Sequence, residues 1–545
     1  MNIGIDFDNT IVRYDSLFME VALKEKFLKG DCAVGTKTEI RNYLRRQPEG
    51  EKVWMKLQGL VYGKFMHGAE MMPGVANFLL SCNLRNHRVF IVSHKTMYGH
   101  YDPAKVSLRG EALKWMEVRR FFDSGYFGLE KQNVYFSDTR EEKVNIIAHL
   151  NCDWFIDDLP EVFEEKLFPT DTKKMLFGSY KPELFHDTTI INSWRKISEK
   201  ILGQTTNKDV TAWLKLVLDV PLKEIKKIPG RGNSSIYKVI ASDKRSYALK
   251  YYPDQILDKR PRLKTEFSTL CLLHQYNITN VPKAVVKDND LNIGLYEWIN
   301  GGNISKPSID NLDQAIDFAG QLYSLSQKID GNHIDIASEA CLSANELVNQ
   351  VENRLLRLKH ESKRFQELST FLEYTFEPLW SDVKDESISI WPLESRDKAL
   401  SIGKQTLSPS DFGFHNCVKG SDGSLTFLDF DYFGWDDPVK LTADFIWHPA
   451  MNLSRKLTDK WIMAMLNIFS IEPEFENRLK AAMPIYGLRW AMIVLNEFLP
   501  DFAKRRRDAG RVKNYNLEKS QKIQLKKAKH YCRNVKAMVS QATFA

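Results

Sequence analysis

The chain has 545 residues, 43% apolar, 27% charged and 12% aromatic, with a net charge of +7. That length accommodates several domains and that composition a sizeable core, which excludes a disordered or fibrous chain. There is no run of about 18 apolar residues, the start MNIGIDFDNT carries no basic stretch, and the seven scattered cysteines form no C-x-x-C; a membrane span, a signal peptide, a disulfide framework and a zinc site are therefore not expected, and a reducing cytoplasm is.

In chain order, Asn2–Phe7 reads as a short apolar strand that carries Asp6 and runs on into Asp8, Asn9 and Thr10. Residues i and i+2 of a strand point the same way, so Asp6 and Asp8 face one pocket at its carboxyl end. Arg88–Val92, Asn133–Phe136 and Asp153–Ile156 read as further strands, leading into Ser93, into Ser137-Asp138 and into Asp157-Asp158. Helical stretches such as Gly74–Asn83 and Glu141–Leu150 separate them. The alternation predicts an α/β doubly wound, Rossmann-like parallel sheet, whose ligands bind at the carboxyl edge. A carboxylate nucleophile splits one hard displacement into two easier ones, and acids crowded at one edge call for a cation such as Mg2+. Tyr14–Met72 is a helical, charge-rich insertion. Lys95 and Arg140 lie just beyond strand ends and read more readily as solvated charges than as ligands for a substrate anion.

This set resembles the haloacid dehalogenase superfamily of phosphatases. Its D-x-D-x-T motif matches Asp6, Asp8 and Thr10; its strand-ending hydroxyl matches Ser93; its lysine matches Lys143, fourteen residues before the acidic pair Asp157 and Asp158. The resemblance implies that Asp6 attacks phosphorus to form an aspartyl phosphate and that Asp8 protonates the leaving oxygen and then activates water. It further implies that Ser93 and Lys143 hold the phosphoryl oxygens, that Mg2+ sits among Asp6, Asp8, Asp157 and Asp158, and that residues 14–72 form a cap.

Gly203–Asn207 is a polar break, and the expected domains are 1–203 and 207–545. Beyond it, Glu224–Ile228 reads as a strand, Pro229–Ser235 as a Gly/Ser loop, and Ile236–Ala241 with Ser246–Tyr252 as a hairpin. Backbone N–H groups of such a loop can cover nucleotide phosphates, which makes Gly230, Gly232 and Ser234 candidates. Lys250 lies on the next strand and Glu266 on a predicted helix sixteen residues later. Strands at Ala284–Val286 and Ile293–Ile299 follow, then mainly helix from Asp310 to Leu400. Asp411 precedes Asn416 by five residues and Asp429 by eighteen, with Ser424–Phe430 apolar enough for a buried strand. Phosphoryl transfer needs one carboxylate to orient a hydroxyl, and an amide and a second carboxylate to hold Mg2+.

The ordered set is similar to the aminoglycoside phosphotransferase and choline kinase family, relatives of the protein kinases. That family usually writes H-G-D-x4-N; here Ser408-Pro409-Ser410 precedes Asp411. The resemblance implies an α+β two-lobed protein-kinase-like fold, with an N-lobe at about 215–302 and a C-lobe at about 303–545. It places ATP on Gly230, Gly232, Ser234, Lys250 and Glu266, its adenine near Glu297 and Ile299, Mg2+ on Asn416 and Asp429, and the acceptor hydroxyl on Asp411. Asp436-Asp437-Pro438 and Asp444 match the following acidic turn and helix start, with Asp444 structural.

The reading is a bifunctional enzyme: a Mg2+-dependent phosphomonoester phosphatase joined to an ATP-dependent small-molecule kinase. A sugar or sugar phosphate of surface polysaccharide precursor metabolism is the expected substrate on pathway grounds. One alternative keeps the phosphatase and makes the second module a nucleotide or ligand sensor. Another is a nucleic-acid end-processing phosphatase and kinase. From Asp501 onward thirteen Lys and Arg face three acids, which motivates that last reading, although no P-loop G-x4-G-K-[ST] occurs and aromatics are sparse there.

Overall fold

The computed structural model describes residues 1–28, 36–102, 104–181, 187–218, 220–229, 234–253, 260–329, 334–500 and 517–542. The chain divides into two compact units. One comprises Met1–Lys227, Tyr237–Lys259 and Val286–Ile293; the other comprises Ile228–Ile236, Arg260–Val285 and Gly294–Ala545.

In the first unit, β1 (Asn2–Ile5) is followed by β2 (Val12–Arg13) and β3 (Glu70–Met71), a small antiparallel pair. Then come β4 (Arg88–His94), β5 (Val134–Ser137), β6 (Trp154–Asp157), β7 (Lys173–Phe177) and β8 (Thr188–Ile191). Six of these form one sheet in the order β5-β4-β1-β6-β7-β8, with every neighbouring pair parallel. The strand order turns back on itself between β1 and β6, the kind of switch point where open α/β sheets bind ligands. The sequence reading saw four of these strands. It did not include β7 and β8, which deliver no acid to the carboxyl edge. The first strand stops at Ile5, so Asp6 and Asp8 stand in the turn beyond it.

Close packing holds this edge in place. A Cβ on Gly4 would lie 2.5 Å from the Phe155 ring, so only glycine lets β1 and β6 meet there. Phe155 packs with Val92, Val144, Ile147 and Leu176 in a buried cluster beneath the edge. The Tyr14–Met72 insertion folds as helices Asp15–Lys24, Lys37–Arg45 and Gly50–Tyr62, with β2 and β3 as its stem.

The polar break at Gly203–Asn207 lies inside the first unit. Thr206 caps the helix Asn207–Val217 with a capping box to Asp209. Asp209 is 1% exposed and accepts hydrogen bonds from Arg85 at 2.6 and 3.0 Å and from Ser81 at 2.7 Å. Burial alone would raise its carboxyl, but bonds from Arg85, Thr206 and Ser81 outweigh that and hold it well below the usual carboxylate range. Asp209→Ala is expected to cost about 3 kcal/mol at pH 7, because it strands Arg85. A depressed folded pKa stabilises above the unfolded value of about 3.9 and loses that effect as pH falls below it. The gap between wild type and variant in urea denaturation should therefore shrink on acidification toward pH 2; an unchanged gap would refute the ion-pair account.

β9 (Leu222–Ile228), β10 (Ser235–Ala241), β11 (Ser246–Tyr251), β12 (Ala284–Asp288) and β13 (Ile293–Glu297) form a five-stranded sheet in the order β12-β13-β11-β10-β9. The second unit carries helix Arg262–Gln275 and, further on, helices Ile309–Ser326, Ala344–Ser362 and Glu377–Ile390. Two short antiparallel pairs follow: β14 (Thr406–Ser408) with β17 (Gly434–Asp436), and β15 (Cys417–Lys419) with β16 (Leu425–Phe427). The buried strand expected at Ser424–Phe430 is only three residues long, because the chain leaves it before Asp429, whose φ is +67°. Helices Pro438–Trp447, Arg455–Ile468, Phe475–Val494 and Leu517–Ala542 complete the unit. Among the described residues no helix is long and apolar enough to cross a membrane.

Candidate active sites

At the carboxyl edge of β1, β4 and β6 the structure brings four of the expected residues together: Asp6, Lys143, Asp157 and Asp158. The backbone N–H of Asp6 donates to the Ile156 carbonyl at 2.8 Å, which locks the nucleophile candidate against β6. Lys143, from helix Arg140–His149, is 1% exposed and bridges Asp6 Oδ1 at 2.5 Å and Asp157 Oδ2 at 2.7 Å. Carboxylate oxygens of Asp6, Asp157 and Asp158 lie within 4.8 Å of one another. Burial drives the Asp6 carboxyl well up; Lys143 opposes this, while Asp157, Asp158 and Asp8 add to it. Burial and the charge of Asp157 likewise lift Asp158 to about 7. For Lys143, burial would lower the ammonium, but Asp157 and Asp6 outweigh it and raise it. Clustered hard oxygens with excess negative charge suit Mg2+, so the residues present fit that ion.

Ser93 is fully buried on β4, and its Oγ has no hydrogen-bond partner among the described residues. The Thr10 hydroxyl is in the same condition. A buried unsatisfied hydroxyl costs about 1–3 kcal/mol, which a phosphoryl oxygen placed there would recover.

Asp8 does not join the three-carboxylate group. Its oxygens take Lys95 Nζ at 2.9 and 3.0 Å and the Tyr14 hydroxyl. Lys95 is 4% exposed, which corrects the reading of it as a solvated charge. The signal was available: Lys95 stands two residues after Ser93, and period-two alternation sends both to one face. Arg140 keeps to the outside and pairs with Glu165 at 3.5 Å. Tyr14 and Lys37 come from the insertion and were not visible as site residues in the sequence. Lys37 Nζ donates to Asn9 Oδ1 at 3.3 Å and lies over the Phe18 and Tyr62 rings.

In the second unit, Asp411 stands on the loop after β14 with its side chain 46% exposed. Phe412, next to it, is anchored among Phe318, Phe427 and Phe445. The loop before Asp411 is held by side chains from elsewhere in the unit. Ser410, at φ +66°, donates from its N–H to Ser408 Oγ at 3.0 Å and from its Oγ to the Ser338 carbonyl at 2.6 Å. Lys440 donates to Ser410 Oγ at 3.0 Å and pairs with Asp436 at 3.1 Å and Asp444 at 3.2 Å. Asp444 also takes Arg489 and Trp490, in keeping with its structural assignment. Lys440 lies thirty residues beyond Ser410, and no local pattern points to it.

Asn416 Nδ2 donates to the Asp411 carbonyl at 3.0 Å, and the Leu428 N–H donates to the Asn416 carbonyl at 2.8 Å. Those two bonds draw Asp411, Asn416 and the segment before Asp429 together. Oxygens of Asp429, Glu266 and Asp431 lie within 4.8 Å of one another, and Asp431 is held by Arg262 at 2.7 Å. This acidic group fits a hard divalent ion as well. Lys250 is buried at the end of β11, near the Tyr252 ring. Glu297 is exposed at the end of β13, where its N–H donates to the Lys283 carbonyl at 2.8 Å, and Ile299 is half-buried beyond it. Ser234 precedes β10 and is half-buried. Gly230 and Gly232 lie outside the described residues.

Burial would raise Asp411, but the hydrogen bond and charge of His415, with His448 and Asn416, together outweigh it and bring the carboxyl down to about 2. Burial and the neighbouring His415 push His448 down to about 4. Neither histidine was singled out from the sequence.

No family model matches the chain, and no curated protein matches it. Among solved structures, a spectinomycin phosphotransferase in complex with ADP and spectinomycin is 14% identical, covers 60% of this chain and 98% of its own, and has a TM-score of 0.41. A choline kinase from Streptococcus pneumoniae is 13% identical over 60% of this chain and 99% of its own, with a TM-score of 0.39. A Plasmodium vivax ethanolamine kinase is 16% identical over 61% of this chain and 92% of its own, at 0.37. Likenesses of that size carry no argument about activity.

Proposed function

We propose that the chain is a bifunctional enzyme, with residues 1–203 hydrolysing a phosphomonoester and residues 207–545 transferring the γ-phosphoryl of ATP to a small-molecule hydroxyl. The observation that carries the reading is the convergence of Asp6, Lys143, Asp157 and Asp158 at the sheet edge where β4 also ends, with the buried Ser93 hydroxyl near its end and without a partner among the described residues. Mg2+ on Asp6, Asp157 and Asp158 would offset charge on the phosphoryl group. Asp6 attacks phosphorus as the bond to the leaving oxygen breaks, and that oxygen takes a proton from Asp8. Water, giving its proton back to Asp8, then attacks the aspartyl phosphate and releases inorganic phosphate. Lys143 and Ser93 hold the phosphoryl oxygens, and Lys95 with Tyr14 keeps Asp8 in place. In the second unit Asp411 accepts the hydrogen bond of the acceptor hydroxyl, with Asn416 and Asp429 as ligands for the Mg2+ of the nucleotide. A sugar or sugar phosphate, altered at different positions by the two halves, is the substrate class we infer.

The test is a Mg2+-dependent phosphate-release screen over phosphorylated sugars, nucleotides and amino-alcohol phosphates, with ATP consumption measured over the matching acceptors. No release from any of them would sink the phosphatase half. Ser93→Ala gives a sharper check. Its hydroxyl has no hydrogen-bond partner among the described residues, so the melting temperature should hold or rise. The turnover should nonetheless fall about 10²-fold, as when a donor to developing negative charge is removed.

A further inference from the structure

The side chains around Asp411 carry a second arrangement that the phosphotransfer reading does not require. His415 Nε2 lies 2.9 Å from Asp411 Oδ1, and His448 Nε2 lies 3.7 Å from the same oxygen. The two imidazoles are stacked, with centroids 3.8 Å apart and planes 13° from parallel, and the Trp490 ring meets His448 edge-on at 4.8 Å. The tautomers follow from the partners. The Ala450 N–H donates to His448 Nδ1 at 3.3 Å, so Nδ1 accepts and the proton sits on Nε2, facing Asp411. His415 must carry its proton on Nε2 to bond a carboxylate, and its Nδ1 is buried without a partner among the described residues. A Cβ on Gly413 would lie 2.8 Å from that Nδ1 and 2.6 Å from Met451 Sδ, so glycine there leaves room for the ring.

A metal ion shared by these three side chains is the obvious competitor, since their ligand atoms lie within 4.8 Å of one another. The geometry speaks against it. A metal prefers the plane of each ring, and two parallel imidazoles do not direct their Nε2 lone pairs to one point. The bond from Ala450 also leaves His448 Nε2 a donor.

We propose that His415 and His448 are positioning residues, a stacked pair in which the N–H of His415 fixes the orientation of the Asp411 carboxylate toward the acceptor hydroxyl and His448 holds the His415 ring. This rests on the phosphotransfer reading of Asp411. His415 makes the direct bond. His448, braced by Trp490 and the Ala450 N–H, limits the tilt of the His415 ring, its own Nε2 standing 3.7 Å from the same oxygen, outside hydrogen-bond distance. A carboxylate free to rotate would present its oxygens at random, and misplacement of about 1 Å can cost on the order of 10²-fold.

The test uses the full-length chain. In 15N-histidine-labelled protein, His415 and His448 are expected as Nε2–H tautomers, with the His415 signal moving in Asp411→Asn. An Nδ1–H tautomer at either ring overturns the arrangement whether or not any activity is found. With an acceptor in hand, His415→Leu should lower kcat by about 10-fold or more while KM for ATP stays within about twofold. His415→Gln, whose amide N–H can reach the same oxygen, should recover most of that loss, and His448→Phe, which keeps the stack, should cost only a few-fold. Normal kcat in His415→Leu, or a fall matched by a lost melting temperature with no rescue by Gln, overturns the positioning role. Stoichiometric Zn2+ binding abolished by His448→Phe overturns it in favour of a metal centre. A wild-type chain that consumes no ATP with any acceptor would instead refute the phosphotransfer reading and, with it, the catalytic part of the proposal.

Discussion

Asp6→Asn is expected to abolish Mg2+-dependent phosphate release, with a loss on the order of 10⁴-fold or more, as for other attacking groups that act in a concerted unit. An amide oxygen is a poor nucleophile and a weaker ligand for a hard cation. The loss should not come from unfolding. The backbone bond from residue 6 to Ile156 does not involve the side chain. The Asp6 carboxyl is raised in the folded state, mainly by burial, so its ionisation weakens the fold as pH climbs above the unfolded value. A neutral residue escapes that effect, and the melting temperature at pH 7 should hold or increase. ATP binding by the other half should persist. Release at the wild-type rate would rule out Asp6 as the attacking group.

The second large effect concerns the proposed phosphotransfer by residues 207–545. Asp411→Ala should reduce phosphoryl transfer by about 10²–10⁴-fold, the range of general-base and positioning help, while nucleotide affinity changes little. Asp411 would touch the acceptor, not the nucleotide. Asp429→Ala should weaken Mg·ATP binding as well, because Asp429 stands in the acidic group with Glu266 and Asp431. The pair of variants separates two readings. A ligand-sensing module would bind nucleotide yet show no turnover for either mutation to remove. Equal transfer by wild type and Asp411→Ala, with a true acceptor present, would end the catalytic assignment of this carboxylate.

Much of the first site was legible because strand ends advertise themselves. Asp6, Asp157 and Asp158 follow apolar strands directly, and Lys143 lies one helix away from the acidic pair. Period-two geometry set Asp6 and Asp8 toward one pocket; in the structure Asp6 meets Lys143, while Asp8 meets Lys95 and Tyr14. Residues that act across long sequence separations left no such mark. Tyr14 and Lys37 belong to an insertion whose packing against the sheet edge depends on tertiary contacts. Lys440 reaches back thirty residues to Ser410, and His448 thirty-seven to Asp411. Ser408-Pro409-Ser410 before Asp411 was visible, yet the groups that hold this loop and its carboxylate are spread over three separate segments, at Ser338, Lys440 and His415. In the first unit the polar stretch at Gly203–Asn207 reads as a break by composition, while Asp209, two residues on, is tied to Arg85 by a buried ion pair that no local pattern announces.

Lys143 already spans Asp6 and Asp157 with a positive charge tethered to the chain. A tethered ion cannot diffuse away. When magnesium runs short, the two acids are never left to repel each other across the sheet edge. On the proposed reading, supply of the metal would then govern hydrolysis and not the survival of the scaffold. Chelation should silence hydrolysis at once and leave the melting curve nearly unmoved, and replenishment should restore activity with no refolding delay.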